Sequence, residues 1–369
     1  MLRTVSIKLE TTTEQATALL DLQATYAATC TALVPVVVEH RCWNRVALHQ
    51  LAYYDIRATS ALGSQMVCNA IFSVCKAYRA QVALQRIGET VPVLRFDWAS
   101  VHFDKRTYSI KGETLSLYTL AGRIRVPMRL GDFQRRRIDG ATPKEAELVF
   151  RGGGWFFNLA VENETPEIAA TGPVLGVDVG ENNLAGTSTG KLFGGGDLRD
   201  RRDRFLALRK RLQSNGSASS KQLLRKISGK EARRVNLENH RVSKAIVTEA
   251  KRIGARAIVL EDLTHIRKHI KAGRRTRTRL HRWAFRQLQT FIAYKAEEAG
   301  IAVIFLDPAY SSQTCSHCGE IGLRKKHLFS CSCGFQAHAD VNASRNLARI
   351  AEGILSATAD VNQPNVAVA

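Results

Sequence analysis

The chain has 369 residues, of which 45% are apolar and 24% charged, and this globular composition at this length predicts two or three domains. No apolar run approaches the roughly 18 residues of a transmembrane helix, and the N-terminus lacks a secretion signal's apolar core, so we expect neither membrane insertion nor secretion. The 54 Lys and Arg residues outnumber the 33 Asp and Glu residues, and the formal net charge of +21 favours a nucleic-acid partner over a basic protein that binds no polyanion.

The first ninety residues predict one strand followed by a helical domain. Residues 1–10 contain the strand-like TVSIKL, and Thr12 with Gln15 has the spacing of a capping box that opens a helix. Apolar residues then recur at helical spacing, as they do from Val67 to Tyr78. We therefore predict a helical domain over residues 11–90.

The apolar period changes from helical to alternating at Val91. VLRFDWASVHFD, TYSI, TLSLYT, GRIRVPM, EAELVFR and WFFNLAVE alternate apolar and polar residues, and glycines separate them. This pattern predicts an antiparallel, barrel-like β-domain of five or more strands over residues 91–170. The strand in residues 1–10 is expected to join it.

After Pro173 the pattern is that of an α/β domain. VLGVDVG, NLAGTST and LFGG predict three strands, and RAIVLE and IAVIFLD predict two more. Helices are expected over four segments, namely Asp197–Leu212, Glu231–Ile253, Trp283–Ala299 and Asn342–Ala351. Between them, Ser214–Ser220 is predicted to be a flexible loop and 265–282 is an intensely basic connection.

Three acidic residues stand where a packed fold favours apolar ones. Asp178 interrupts an apolar strand, Glu261 ends another, and Asp340 opens the last helix, where it would also serve as an N-cap. Parallel strands of one sheet would bring Asp178 and Glu261 together, with Asp340 on a helix beside them. Carboxylates at such short distances repel one another unless cations neutralise their charge. Two Mg²⁺ or Mn²⁺ ions about 4 Å apart would neutralise them and suit phosphodiester hydrolysis.

The run GVDVGENN has a second interpretation, because it also resembles the phosphate-binding hairpin of sugar kinases and actin-like ATPases. A kinase of that class would repeat the glycine-rich hairpin later in the chain, and the sequence contains no second copy. Such an enzyme would also have no use for the large positive charge. The nuclease interpretation is therefore favoured.

Four of the eight cysteines form a compact cluster: Cys315, Cys318, Cys331 and Cys333. Two close pairs of thiolates satisfy tetrahedral Zn²⁺, and with all four positions filled by protein the ion would be structural. The second pair has a single intervening residue, so three histidines compete as substitute ligands, His317, His327 and His338. Of these, His338 fits best by its distance from Cys333.

The order of these features resembles the TnpB (OrfB) family of insertion-sequence proteins, relatives of type V CRISPR effectors. The resemblance lies in GVDVGENNLA, ARAIVLEDL, FRQLQTFIAYKAEEAGIAVIFLDPAYSSQTCSHCG and FSCSCGFQAHADVNASRNL, and it covers about residues 175–350. Its implied fold is a RuvC-like (RNase H-like) nuclease domain, residues 171–310 and 338–369, with a zinc ribbon inserted at 311–337. A β-barrel wedge domain (1–10 and 91–170) carrying a helical recognition insertion (11–90) would precede it.

The resemblance also implies an activity and site residues. The family's metal-binding acids fall on Asp178, Glu261 and Asp340, and its zinc ligands on the four clustered cysteines. Its activity is RNA-guided cleavage of double-stranded target DNA, with the guide RNA transcribed from the end of the transposon and one nuclease site for both strands. The chain departs from the family in its shortened second cysteine pair and in His338, where relatives often carry an acid.

Basic and helical segments supply the expected nucleic-acid contacts. The candidates are Tyr53, Arg57, Ser64, Gln65, Lys76, Lys210, Arg211, Arg225, Lys226, Lys230, Arg267, Lys268, Lys271, Arg274, Arg275 and Arg277. Two alternatives remain: a nuclease-inactive guided binder that acts as a repressor, and an unguided accessory factor in transposition. The presence of all three acids favours cleavage. We expect a bacterial cytoplasmic protein at the nucleoid, and the sequence leaves open whether it acts as a monomer or dimer.

Overall fold

The computed structural model describes residues 1–180, 182–263, 285–306 and 312–361. Two compact units divide the chain, residues 1–164 (unit 1) and residues 165–369 (unit 2). The predicted basic connection at 265–282 lies outside the described residues, and so do its six candidate contacts, Arg267, Lys268, Lys271, Arg274, Arg275 and Arg277.

Unit 1 contains a seven-stranded antiparallel sheet of near-barrel form. Its spatial order is β2-β6-β7-β1-β5-β4-β3, so the N-terminal strand pairs with β7 and β5 at the centre, as predicted. The strands are β1 (Leu2–Leu9), β2 (Val101–Phe103), β3 (Tyr108–Lys111), β4 (Thr114–Thr119), β5 (Gly122–Arg129), β6 (Thr142–Arg151) and β7 (Gly154–Glu162).

The prediction that the sheet begins at Val91 is wrong, because the first strand of that region starts at Val101. Val91, Leu94 and Phe96 are instead partly buried against the core without forming a ladder. Pro92 has no N–H to donate to a neighbouring strand, and its carbonyl accepts a hydrogen bond from the hydroxyl of Tyr78. The alternation of apolar and polar residues in this segment thus comes from irregular chain that packs its apolar side chains on the core, and not from a β-strand.

Four helices complete unit 1. They are α1 (Thr13–His40), α2 (Arg45–Thr59), α3 (Ser64–Ala83) and the short α4 (Asp132–Ile138), which the alternating pattern did not predict. The capping box between Thr12 and Gln15 is present, with each side chain bonded to the other residue's backbone N–H. The buried residues of α1, α2 and α3 share one core with the sheet.

Helix α1 is long and apolar enough to cross a membrane by length and composition, which the sequence analysis did not expect. Half of its most apolar window (50%) is nevertheless buried in the unit, where Leu19, Leu22 and Tyr26 belong to the core. The core helix of a folded domain passes the same test, so α1 is weak evidence for a membrane partner.

Unit 2 is built on a five-stranded mixed sheet of order β10-β9-β8-β11-β12. Strands β8, β11 and β12 are parallel, whereas β9 and β10 extend the sheet as antiparallel hairpins. The strands are β8 (Val174–Asp178), β9 (Asn183–Thr187), β10 (Leu192–Gly194), β11 (Ala257–Glu261) and β12 (Ala302–Leu306). All five predicted strands of this region are present.

Helices cover both faces of this sheet, and their buried residues form two separate apolar clusters. They are α5 (Gly196–Asn215), α6 (Ala218–Arg252), α7 (Phe285–Glu297) and α8 (Ala339–Val361). A small antiparallel sheet precedes α8, formed by β13 (Leu323–Lys325), β14 (Leu328–Ser330) and β15 (Gln336–His338).

Two sequence predictions for unit 2 are wrong in detail. The predicted flexible loop at Ser214–Ser220 is mostly helix, because the Ser217 hydroxyl accepts the backbone N–H of Ser220 and caps α6. Asp340 is not an N-cap, because α8 begins one residue earlier and places Asp340 in its first turn. An acidic side chain is favourable there through the helix dipole.

Candidate metal centres

The ends of two neighbouring parallel strands bring the first two candidate acids together. Val177 of β8 lies opposite Leu260 of β11, and the next residue of each strand is Asp178 and Glu261, respectively. Asp178 is therefore the last residue of its strand rather than an interior one. The buried Gln289 of α7 donates to the backbone carbonyl of Glu261 at 2.6 Å and fixes this strand end.

Glycines in the sheet let α8 bring Asp340 to the same edge. A Cβ added at Gly176 of β8 would lie 1.8 Å from the backbone oxygen of Ser344 in α8. A Cβ at Gly186 of β9 would lie 3.1 Å from the Cβ of Asp340. The helix therefore packs on bare backbone, which places its first turn beside the ends of β8 and β9.

The electrostatics of Asp178 show that the three acids interact. Burial, the largest cause, and the negative charges of Glu261 and Asp340 together raise the pKa of Asp178 to about 8. The Arg324 guanidinium opposes this shift. A buried carboxyl group beside two other acids is an environment in which a bound divalent cation would favour the ionised form.

Asp340 has two side-chain partners that the sequence did not reveal. Arg324, in the first strand of the small sheet (β13), donates to Oδ1 of Asp340 at 3.2 Å. Asn183, at the start of β9, donates to Oδ2 at 2.9 Å. His338 lies beside this pair: its Nδ1 accepts the Asp340 backbone N–H at 3.2 Å, and its Nε2 is 3.4 Å from the Asn183 amide nitrogen.

The three acids do not form a single tight ligand group. Among the described residues, a group of three or more metal-ligating side-chain atoms within 4.8 Å of one another occurs only at the four clustered cysteines. The three carboxylates are therefore spread more widely. Mg²⁺ and Mn²⁺ prefer carboxylate oxygens as ligands, so the three acids fit hard divalent ions by donor type.

The four cysteine thiols form a compact cage, with all four Sγ atoms within 4.8 Å of one another. The Sγ atoms of Cys315 and Cys333 are 3.9 Å apart, and those of Cys318 and Cys331 are 3.6 Å apart. A tetrahedral zinc ion with Zn–S bonds of about 2.3 Å would place its sulfurs about 3.8 Å apart. The cluster therefore fits a structural Zn²⁺, and the single-residue spacing of the second pair does not prevent four-thiol ligation. The tight group contains no histidine.

The expected nucleic-acid contacts have different environments. Five basic residues are exposed along α5 and α6: Lys210, Arg211, Arg225, Lys226 and Lys230. In unit 1, Lys76 is paired with Glu147 at 2.8 Å, and Gln65 bonds both Asp104 and Arg106.

The three remaining candidates of unit 1 lie on α2 and α3. Tyr53 is half-buried and stacks on His49, with ring centroids 4.5 Å apart. Arg57 and Ser64 are exposed.

Sequence comparisons point to the same region of the chain. A model of the Cas12f1-like TNB domain matches residues 285–347. The chain is 36% identical to the TnpB-like protein MJ0751 of Methanocaldococcus jannaschii over 151 residues. This match covers 39% of this chain and 54% of that protein. It is also 47% identical to the CRISPR-associated endodeoxyribonuclease Cas12f1 of Sulfoacidibacillus thermotolerans over 114 residues. This match covers 30% of this chain and 26% of that protein. The matches thus span from about a quarter to just over half of these relatives.

Structural comparisons extend the similarity to the whole fold. A cryo-EM structure of a Cas12f1–sgRNA–target DNA complex aligns with 91% of this chain and 83% of that chain, with a TM-score of 0.62 and 15% identity. A cryo-EM structure of CasPhi-2 (Cas12j) bound to crRNA aligns with 95% of this chain and 98% of that chain, with a TM-score of 0.52 and 11% identity. The fold is therefore Cas12f/Cas12j-like. By sequence, the chain is similar to TnpB-like and Cas12f1 proteins over part of its length.

Proposed function

We propose that this protein is an RNA-guided DNA endonuclease of a transposable element, which hydrolyses phosphodiester bonds with two divalent ions held by Asp178, Glu261 and Asp340. The observation that carries the proposal is the convergence of the three acids from two strand ends and one helix. Their mutual repulsion, visible in the raised pKa of Asp178, is what bound Mg²⁺ or Mn²⁺ would relieve.

The sheet order of unit 2 supports assigning the nuclease domain as RuvC-like. Its first three strands form antiparallel hairpins, the fourth pairs in parallel with the first, and the fifth pairs in parallel with the fourth, the arrangement of RNase H-like folds. The proposed domain comprises residues 171–310 and 338–369, with a zinc ribbon at 311–337. Residues 1–10 and 91–170 would form the wedge domain and residues 11–90 the recognition helices.

The chain's own residues would set the conditions for hydrolysis. When bound, two divalent ions would activate a water molecule and stabilise the leaving 3′-oxygen. To ligate, Asp178 must release the proton that its raised pKa retains near neutral pH. Arg324 lowers that pKa and so favours the ionised form, while Asn183 orients Oδ2 of Asp340.

Charge and similarity support the proposed partners, a guide RNA from the transposon end and double-stranded target DNA. The net charge is +21, and exposed basic residues follow α5 and α6 beside the nuclease sheet. The aligned Cas12f1 structure contains sgRNA and target DNA, and a sequence relative is named an endodeoxyribonuclease. The proposed compartment is the bacterial cytoplasm.

Sequencing of RNA that co-purifies with the protein, expressed with its native flanking DNA, tests the guided part of this proposal. We expect one abundant RNA with a constant scaffold and a short variable end. A diffuse mixture that follows cellular RNA abundance would contradict guidance and would leave an unguided nucleic-acid-binding accessory factor.

A further inference from the structure

A buried amide on α8 holds the chain on both sides of Cys315. Oδ1 of Asn342 accepts the backbone N–H of Ser316 at 2.9 Å, and its Nδ2 donates to the carbonyl of Thr314 at 2.8 Å. The Asn342 side chain is fully buried (0% exposed), so water cannot replace these bonds easily. One turn later, Asn346 donates to the same Thr314 carbonyl at 2.6 Å.

The same turn of α8 carries Asp340, which is also held by the cysteine module (residues 312–338). Arg324, which lies between the two cysteine pairs, donates to the Asp340 carboxylate at 3.2 Å. The backbone N–H of Ala339 donates to the His327 carbonyl at 2.8 Å. The module therefore contacts the first turn of α8 through three separate sets of hydrogen bonds.

Packing joins the module and the helix into one small core. Cys315, Phe329 and Ala339 are each 0% exposed and form a single buried cluster, with Cys331 and Phe335 packed against it. A thiol ligand and the residue before Asp340 thus share one core. Because the core is small, its order depends on the metal that closes the four-thiol cage.

We propose that Asn342 is a positioning residue that couples the two metal centres: its amide fixes the cysteine module to the first turn of α8, so that metal in the thiol cage sets the position of Asp340. The role given to Asp340 rests on the proposed nuclease function. The coupling itself rests on the bonds of Asn342, and it can be measured without nucleic acid.

Zinc release from the full chain to a chromogenic chelator tests the positioning role. Partners that support metal ligands typically change metal affinity by 10- to 100-fold, so Asn342→Ala should release zinc at least about tenfold faster than the wild type. The control is Ile350→Ala, because Ile350 is exposed on the same helix. Equal release from the two variants would overturn the proposal.

Amide hydrogen exchange on the wild type tests the same coupling without the variant, and it therefore applies even if Asn342→Ala fails to fold. Removal of zinc should increase exchange across residues 339–346 well above the increase in α6, and unchanged exchange there would overturn the coupling.

If the two metal centres are coupled, metal bound at either centre must affect metal binding at the other. A purely structural role of Asn342 would not produce this mutual effect. Mg²⁺ should slow zinc release from the wild type and have a smaller effect on Asn342→Ala. An equal Mg²⁺ effect on both proteins would refute coupling through Asn342. The zinc-release and hydrogen-exchange measurements need neither Mg²⁺ nor cleavage, so their failure is distinct from failure of the nuclease proposal.

Discussion

Asp178 and Glu261 end two hydrogen-bonded parallel strands at the same level of the sheet, so their carboxyl groups meet at one edge. Such a pair is unfavourable in a folded protein without cations, because burial and like charge both disfavour ionisation. Ionising both carboxyl groups at this edge therefore has an electrostatic cost, which bound divalent ions would remove.

That cost predicts a pH-dependent stability effect of Asp178→Asn in the absence of divalent ions. The folded-state pKa of Asp178 is about 8, above its ordinary value of 3.8, so between these values the folded state binds a proton that the unfolded state does not. Wild-type stability should therefore fall as pH rises through this window, by at most about 1.4 kcal/mol per pH unit. Asp178→Asn should remove this slope, and its stabilisation relative to the wild type should be larger at pH 8 than at pH 5.

Urea unfolding in EDTA at pH 5, 6.5 and 8 measures this effect. Asp55→Asn, which removes an exposed carboxyl on α2, is the control for a general charge effect. An Asp178→Asn curve parallel to the wild type across the three pH values would mean that the pKa of Asp178 is not raised in the folded state.

Gly176→Ala should disrupt the seat of α8 on the sheet. The added methyl would overlap the Ser344 carbonyl, which is backbone and cannot rotate away. We expect a loss of about 1–3 kcal/mol of stability or more, together with weaker divalent-ion binding, because Asp340 moves with the helix. Gly194→Ala is the matched control, since its Cβ would meet nothing within 4 Å. Equal unfolding midpoints for the two variants would show that the close approach is unimportant.

The thiol cage predicts one zinc ion per chain, and Cys331→Ser should lose it. Zinc content by mass spectrometry of the native protein provides the measurement. Cys68→Ser is the control because Cys68 lies in α3, outside the cage. Retention of stoichiometric zinc by Cys331→Ser would mean that another residue supplies the fourth ligand, contrary to the tetrahedral geometry.

The exposed basic residues of α5 should contribute to nucleic-acid affinity through phosphate contacts. For the double variant Lys210→Ala/Arg211→Ala, the slope of log K against log salt should fall by up to about 1.4 for single-stranded RNA. Lys76→Ala should change it less, because Lys76 is already paired with Glu147. Binding titrations at four salt concentrations would show this, and identical slopes for all three proteins would remove α5 from the interface.

The acids were predictable from sequence because each depends on one strong local rule. A lone Asp after an apolar strand and a Glu ending the next parallel strand converge at one sheet edge. The four cysteines were equally predictable, since two close pairs suffice for a zinc cage. The grouping of these residues follows from residue type and spacing, whereas the role of the acids as metal ligands stays a prediction.

The supporting residues were not predictable, because their roles exist only in the folded contacts. Arg324, Asn183 and Asn342 look like ordinary surface or cap residues in the sequence, and Gly176 looks like a strand glycine. A glycine or asparagine at a position that faces a packed helix is the signal that could have found them. Such a position can be recognised only once the topology of the fold is known. The Ser214–Ser220 error has the same origin, since serines suit loops and helix caps alike.

Cleavage of matched target DNA by the guide-loaded protein, compared with Asp178→Ala carrying the same RNA, tests the central claim most directly. The account predicts Mg²⁺-dependent cleavage by the wild type that leaves 5′-phosphate ends, and at least about 100-fold slower cleavage by the variant at equal RNA occupancy. Cleavage by Asp178→Ala at the wild-type rate would contradict the assignment of the carboxylates as the nuclease centre.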